Sequence, residues 1–190
     1  VGGFEYLYVV INKLTKWPEV EAVRKVIAQS AGKFFKGLVC RFGVPNRVIT
    51  DNGTQFTSCT FMQYTQDLGS KVGFASVAHP RSNGQAERAN AEILQGLRTK
   101  TFDRLHKSGR HWFDELPTVL WSIRTTPNRA TGQTPFALVY GAEVVLPTEL
   151  IYGSPRVLAY DEFEQEQLRQ DDAVLLEEDR LRAAVRAARY

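Results

Sequence analysis

RVITDNGTQFTS (Arg47–Ser58) is the stretch on which the fold turns. Its first four residues, Arg47 to Thr50, form a short β-branched run of the kind that enters a sheet. Asp51, Asn52 and Gly53 then supply turn chemistry. A carboxylate that follows the last residue of a strand stands where open α/β sheets receive their ligands. Taken alone, Asp51 is equally a turn residue capping its own backbone.

Working outward, Phe4–Asn12 (FEYLYVVIN) is aromatic and β-branched and predicts a buried strand, with Val20–Val23 as its hairpin partner. Ala28–Phe42 carries Ala31, Phe34, Phe35, Leu38 and Phe42 at helical spacing, and Gly43 with Pro45 ends it. Thr57–Leu68 predicts a helix closed by Gly69, and Lys71–Ser76 a further strand. Ala78–Gly84 is loop chemistry. A long helix is expected from Gln85 to about Lys107 and another over Trp112–Thr125. Residues 128–158, rich in Pro, Gly and Thr, read as irregular. Asp161–Arg189 is helical by composition. Strands alternating with helices predict an α/β fold, a mixed sheet covered by helices, followed by a helical C-terminal extension.

A second acid gives Asp51 a possible role. Glu87 follows His79-Pro80-Arg81-Ser82-Asn83-Gly84 at the start of the long helix, with 35 residues between it and Asp51. By itself it is a first-turn glutamate favoured by the helix dipole. If the intervening helix and strand return the chain to Asp51, two carboxylates on rigid supports can share hard, oxygen-seeking cations. Such a pair needs a cation, because like charges brought together are costly. Two metals in one site suit phosphodiester chemistry.

VITDNGTQFTS (Val48–Ser58) and HPRSNGQAERAN (His79–Asn90) at this spacing resemble the core of gypsy-type LTR retrotransposon integrases, of plant type, with their D…D-x35-E pattern. FEYLYVVINKLTKWPE (Phe4–Glu19), RTTPNRATGQTPFALVYG (Arg124–Gly141) and VLPTEL (Val145–Leu150) are similar to that family too. The resemblance implies a ribonuclease-H-like fold, with 1–152 as the catalytic core and 153–190 as a helical linker or tail. It implies a polynucleotidyl transferase that trims the 3′ ends of element DNA and joins them to target DNA in the nucleus. Asp51 would be the second catalytic aspartate and Glu87 the glutamate, both ligating Mg²⁺ or Mn²⁺. Asn83, Gln85 and Asn90 become candidate DNA contacts beside Arg81, Arg88, Arg98 and Lys100. The partners implied are double-stranded DNA and further copies of the core, and no membrane.

The family's first catalytic aspartate lies a few residues upstream of the GGF segment and is not among these residues. Asn12 occupies a position on the hairpin where relatives often carry Asp, but it is not that ligand. Glu5, Glu19 and Glu21 are weak substitutes. Loss of one carboxylate removes charge and a ligand together, so metal affinity and rate are expected to fall by orders of magnitude. The fragment is therefore expected to be inactive or nearly so. The alternative is a degenerate or co-opted nucleic-acid-binding or dimerising module without catalysis.

Composition fits either reading. The 190 residues carry net charge +3, but residues 159–190 hold nine acids and five arginines, a net of −4, which leaves +7 on the remainder. A basic core suits a phosphate-bearing partner. Cys40 and Cys59 are too few for a disulfide framework and are expected as reduced, partly buried thiols. His79, His106 and His111 have no zinc-site spacing. Trp112, Phe113, Leu116, Leu120, Trp121 and Ile123 lie at helical spacing and are expected in a core or a subunit interface.

Overall fold

The computed structural model describes residues 3–75, 84–101, 112–158 and 162–189. The chain divides into two units, one of residues 1–11 and 18–119, the other of residues 12–17 and 120–190.

Unit one begins with β1 (Tyr6–Ile11) and β2 (Pro18–Val23), antiparallel, in register from Tyr6 opposite Val23 to Ile11 opposite Pro18. Pro18 opens its strand, where a missing N–H is tolerated. α1 (Ala28–Phe42) matches the span its apolar spacing predicts and buries Ala31, Phe34 and Phe35. β3 (Arg47–Thr50) pairs in parallel with β4 (Lys71–Phe74), Arg47 facing Lys71 and Thr50 facing Phe74. The expected sheet is thus realised as one antiparallel and one parallel pair. One cluster of side chains serves both: Tyr8 and Val23 pack with Phe34, Phe35 and Phe61, and Val48 and Val72 pack against them. Tyr8 stacks on Phe34 at 5.6 Å, and its hydroxyl lies 3.0 Å from Ser30 Oγ.

The helix expected over Thr57–Leu68 is α3 (Cys59–Asp67), and a short helix that was not expected, α2 (Thr54–Thr57), precedes it. Ser58 divides them. It is extended (φ −62°, ψ 142°), and its Oγ accepts from Phe61 N–H at 3.3 Å, so it caps the second helix and cannot continue the first. α4 (Gly84–Thr101) buries Ala89, Ile93 and Leu97, an i, i+4, i+8 row, and packs on β1. The predicted continuation to Lys107 lies outside the described residues. α5 (Trp112–Thr125) matches its expected span, and its first eight residues belong to unit one. Leu116 and Val119 are buried there, and Phe113 stacks on Phe4 with centroids 4.6 Å apart.

Unit two corrects the irregular reading of 128–158. That segment folds into α6 (Pro135–Tyr140), α7 (Pro147–Tyr152) and α8 (Pro155–Leu158). The prolines taken as breakers are the first residues of these helices, where the missing N–H is an orphan in any case. Thr134 Oγ1 caps α6 by accepting from Ala137 N–H at 3.0 Å, and Gly141 ends it at φ +80°. α9 (Glu162–Arg189) packs on α6. Leu138 and Ala183 are both 1% exposed. Trp17 is buried, with Tyr140 edge-on at 5.6 Å and the Arg124 guanidinium 4.3 Å from its ring centre.

Both cysteines are free thiols, as expected, but Cys40 and Cys59 are exposed rather than partly buried. Cys40 lies on the face of α1 turned from Phe34 and Phe35, and Cys59 starts α3 before its buried row begins. Among the described residues, no helix is long and apolar enough to cross a membrane.

Candidate active site

Parallel pairing decides where Asp51 stands. β3 and β4 end side by side, and Ala75 N–H donates to the Thr50 carbonyl at 2.7 Å, carrying the ladder to its last residue. Asp51 is the next residue after β3 and is exposed. Its Oδ1 accepts from Gly53 N–H at 3.1 Å. The turn reading is therefore realised, and it does not compete with ligand binding: the same bond orients a carboxylate that still faces solvent.

Glu87 lies in the first turn of α4 and is exposed. Side chains on a helix advance by about 100° per residue, so Glu87 shares the outward face of α4 with Leu94 and Arg98. Asn90 lies about 60° from Glu87 on this count, Arg88 about 100° and Lys100 about 140°. Arg98 thus shares a stripe with Glu87, and Lys100 does not. Leu94 is apolar yet 47% exposed on that stripe. Arg88, Asn90, Arg98 and Lys100 are exposed, and Gln85 is half-buried. Arg81 and Asn83 lie outside the described residues.

The other carboxylates have local explanations. Glu19 holds Arg41 Nη2 at 2.9 Å. Glu21 sits mid-hairpin opposite Tyr8, and Glu5 is exposed ahead of β1. Asn12 is a turn residue: its Oδ1 accepts from the N–H groups of Leu14 and Thr15, both at 3.0 Å. Among the described residues, no three of His, Cys, Asp and Glu gather as a metal set. One feature without a sequence signal is Thr50. Its Oγ1 is buried beside Asp51 with no hydrogen-bond partner among the described residues, an arrangement that costs free energy. Each of these exposed carboxylates offers hard oxygen of the kind that Mg²⁺ or Mn²⁺ takes, and a cation held by two acids would fill most of its coordination positions from other ligands.

No family model matches the chain. An uncharacterized protein of Caenorhabditis elegans is 32% identical over 164 residues, covering 83% of this chain and 12% of the relative. The Gag-Pol polyprotein of feline leukemia virus is 33% identical over 145 residues, covering 74% of this chain and 8% of the polyprotein. The chain thus spans about a tenth of the length of these relatives. The catalytic core domain of HTLV-2 integrase, solved in complex with magnesium, superposes with a TM-score of 0.57 at 20% identity, covering 68% of this chain and 81% of that domain. The fold is that of this core, ribonuclease-H-like, of mixed α/β content with helices predominating.

Proposed function

We propose that this chain, a homologue of retroviral and retrotransposon integrase catalytic cores, is the DNA-joining core of a gypsy-type retrotransposon integrase. It would act on element and target DNA in the nucleus. The observation that carries the reading is the placement of Asp51 directly after β3 and of Glu87 in the first turn of α4, both exposed, with 35 residues between them in sequence.

Asp51 and Glu87 would hold Mg²⁺ or Mn²⁺. When bound, the metal supplies charge that stabilises both the attacking and the leaving oxygen of a phosphodiester exchange. Arg98, on the stripe of Glu87, would hold a phosphate by charge, with Arg88 and Asn90 on the flank of the same helix. Contacts of this kind fix DNA in position without reading its sequence, and they weaken with salt. Further copies of the core are the protein partners this reading expects.

A cation held by Asp51 and Glu87 alone would be bound weakly, because two carboxylates leave most of its coordination positions to other ligands. The net charge of +7 on residues 1–158 also suits a second reading, a DNA-binding or self-associating module without catalysis. Calorimetric titration of the 190-residue chain with Mn²⁺ separates them. Saturable binding that falls at least tenfold in both Asp51→Asn and Glu87→Gln supports the shared site. Binding that ignores both substitutions refutes it, and DNA affinity without any metal binding leaves the module reading.

A further inference from the structure

α9 has two apolar faces, and among the described residues only one of them is covered within the chain. On about 100° per residue, Leu176, Arg180 and Ala183 fall on one face. That face meets α6: Arg180 donates to the carbonyls of Leu138 and Val139, and Ala183 is 1% exposed. Val174, Leu181 and Val185 fall within about 40° of one another on the opposite face. They are 67%, 67% and 46% exposed. An apolar row at i, i+7 and i+11 is the pattern of a helix seam, not of a solvated surface.

Charge along the helix identifies the occupant. Residues 162–179 carry eight acids and one arginine, whereas residues 180–189 carry four arginines and no acid. Two such helices side by side in parallel would oppose acid to acid and base to base. Placed antiparallel, each acidic half meets the basic half of the other. With Val174 opposite Val185 of a second copy, Leu181 falls opposite Glu178. Arg182 then comes level with Glu177 and one position from Glu178. By the angular count, Arg182 and Glu178 lie on the same flank of the seam. In the single chain, Arg182 already pairs with Glu178 at 3.1 Å, and that bond can be exchanged across the seam without loss of a partner.

We propose that α9 is a self-association surface through which two copies of this chain pair antiparallel along Val174, Leu181 and Val185. This seam is separate from any contact that the core makes.

The test uses the full chain with Cys40→Ser and Cys59→Ser, which removes its two exposed thiols. Chains carrying Val174→Cys and chains carrying Val185→Cys are mixed and mildly oxidised. The expected product is a mixed disulfide dimer formed at least tenfold faster than either self-linked dimer. Leu181→Glu, at an exposed position, should abolish that selectivity with the circular dichroism unchanged. Arg182→Glu with Arg189→Glu should weaken it at least tenfold at low salt. Faster self-linking of the Val185→Cys chain would mean a parallel seam and overturn the proposal. So would the absence of cross-linking, or cross-linking indifferent to Leu181→Glu.

Discussion

Arg180 reaches the carbonyl oxygen of Leu138 across 42 positions of sequence, its Nε donating at 3.0 Å while Nη2 donates to Val139 O at 3.3 Å. Both carbonyls belong to the end of α6, where no further turn supplies N–H donors to them. One planar guanidinium therefore satisfies two orphan acceptors and joins α9 to α6.

Removing it should destabilise unit two. Arg180→Met keeps the aliphatic stem but strands both acceptors, and a hydrogen bond to a charged group contributes roughly 1.5–3 kcal/mol. Arg180→Lys restores charge but not the fork, so it should recover only part of the loss. Urea denaturation followed at Trp17, which lies in the same unit, measures both. Equal midpoints for wild type and Arg180→Met would show that the bridge contributes nothing.

α4 and α5 approach closely where Gly96 faces Val119. A Cβ at Gly96 would sit 2.6 Å from Val119 Cγ1, and Val119 is 4% exposed. Alanine in a helix interior ordinarily gains about 0.5–1 kcal/mol over glycine. Here overpacking should reverse the sign, for a net loss of about 1–3 kcal/mol. Gly96→Ala combined with Val119→Ala should be less destabilised than the two losses added, because the clash is shared. Strict additivity in a double-mutant cycle would contradict the close approach.

Lys16 is buried at φ +60°, a backbone conformation that costs a non-glycine residue about 1–2 kcal/mol, and its Nζ donates to Lys13 O at 2.5 Å. Burial, and then the charge of Lys13, hold its pKa below the ordinary 10.5. The unfolded chain therefore binds more protons than the folded one between the lowered value and 10.5. The contribution of Lys16 to stability rises with pH across that window, is complete above it, and is lost as pH falls through the folded value. Lys16→Gly should flatten this rise and add about 1 kcal/mol near neutrality by removing the left-handed strain. The check is urea midpoints of wild type and variant compared from neutral to alkaline pH. Parallel curves would rule out titration of Lys16 as the cause.

Much of this was readable from local pattern. Ala28–Phe42, Arg47–Thr50 and Trp112–Thr125 have the predicted bounds because their apolar period or β-branched run is uninterrupted and their stops are glycine, proline or turn residues. Ser58 escaped because a serine inside an apolar row reads as a helix residue until its hydroxyl is seen capping Phe61. Pro135, Pro147 and Pro155 escaped because proline breaks a helix it enters late and starts a helix it enters first. Asp51 and Glu87 could be singled out by spacing, whereas the division of α4 into a stripe bearing Arg98 and a side bearing Lys100 required the helix to be built.

By itself, the order of residues determined most of the strands and helices and singled out Asp51 and Glu87 as two acids at a given interval, since these follow from short-range periodicity and a countable spacing. Only the tertiary structure decided that, among the described residues, Thr50 is buried without a partner, that Gly96 lies against Val119, and that α9 spends one apolar face on α6 while Val174, Leu181 and Val185 stay exposed. Burial and approach are sums over atoms remote in the chain, and no local rule contains them.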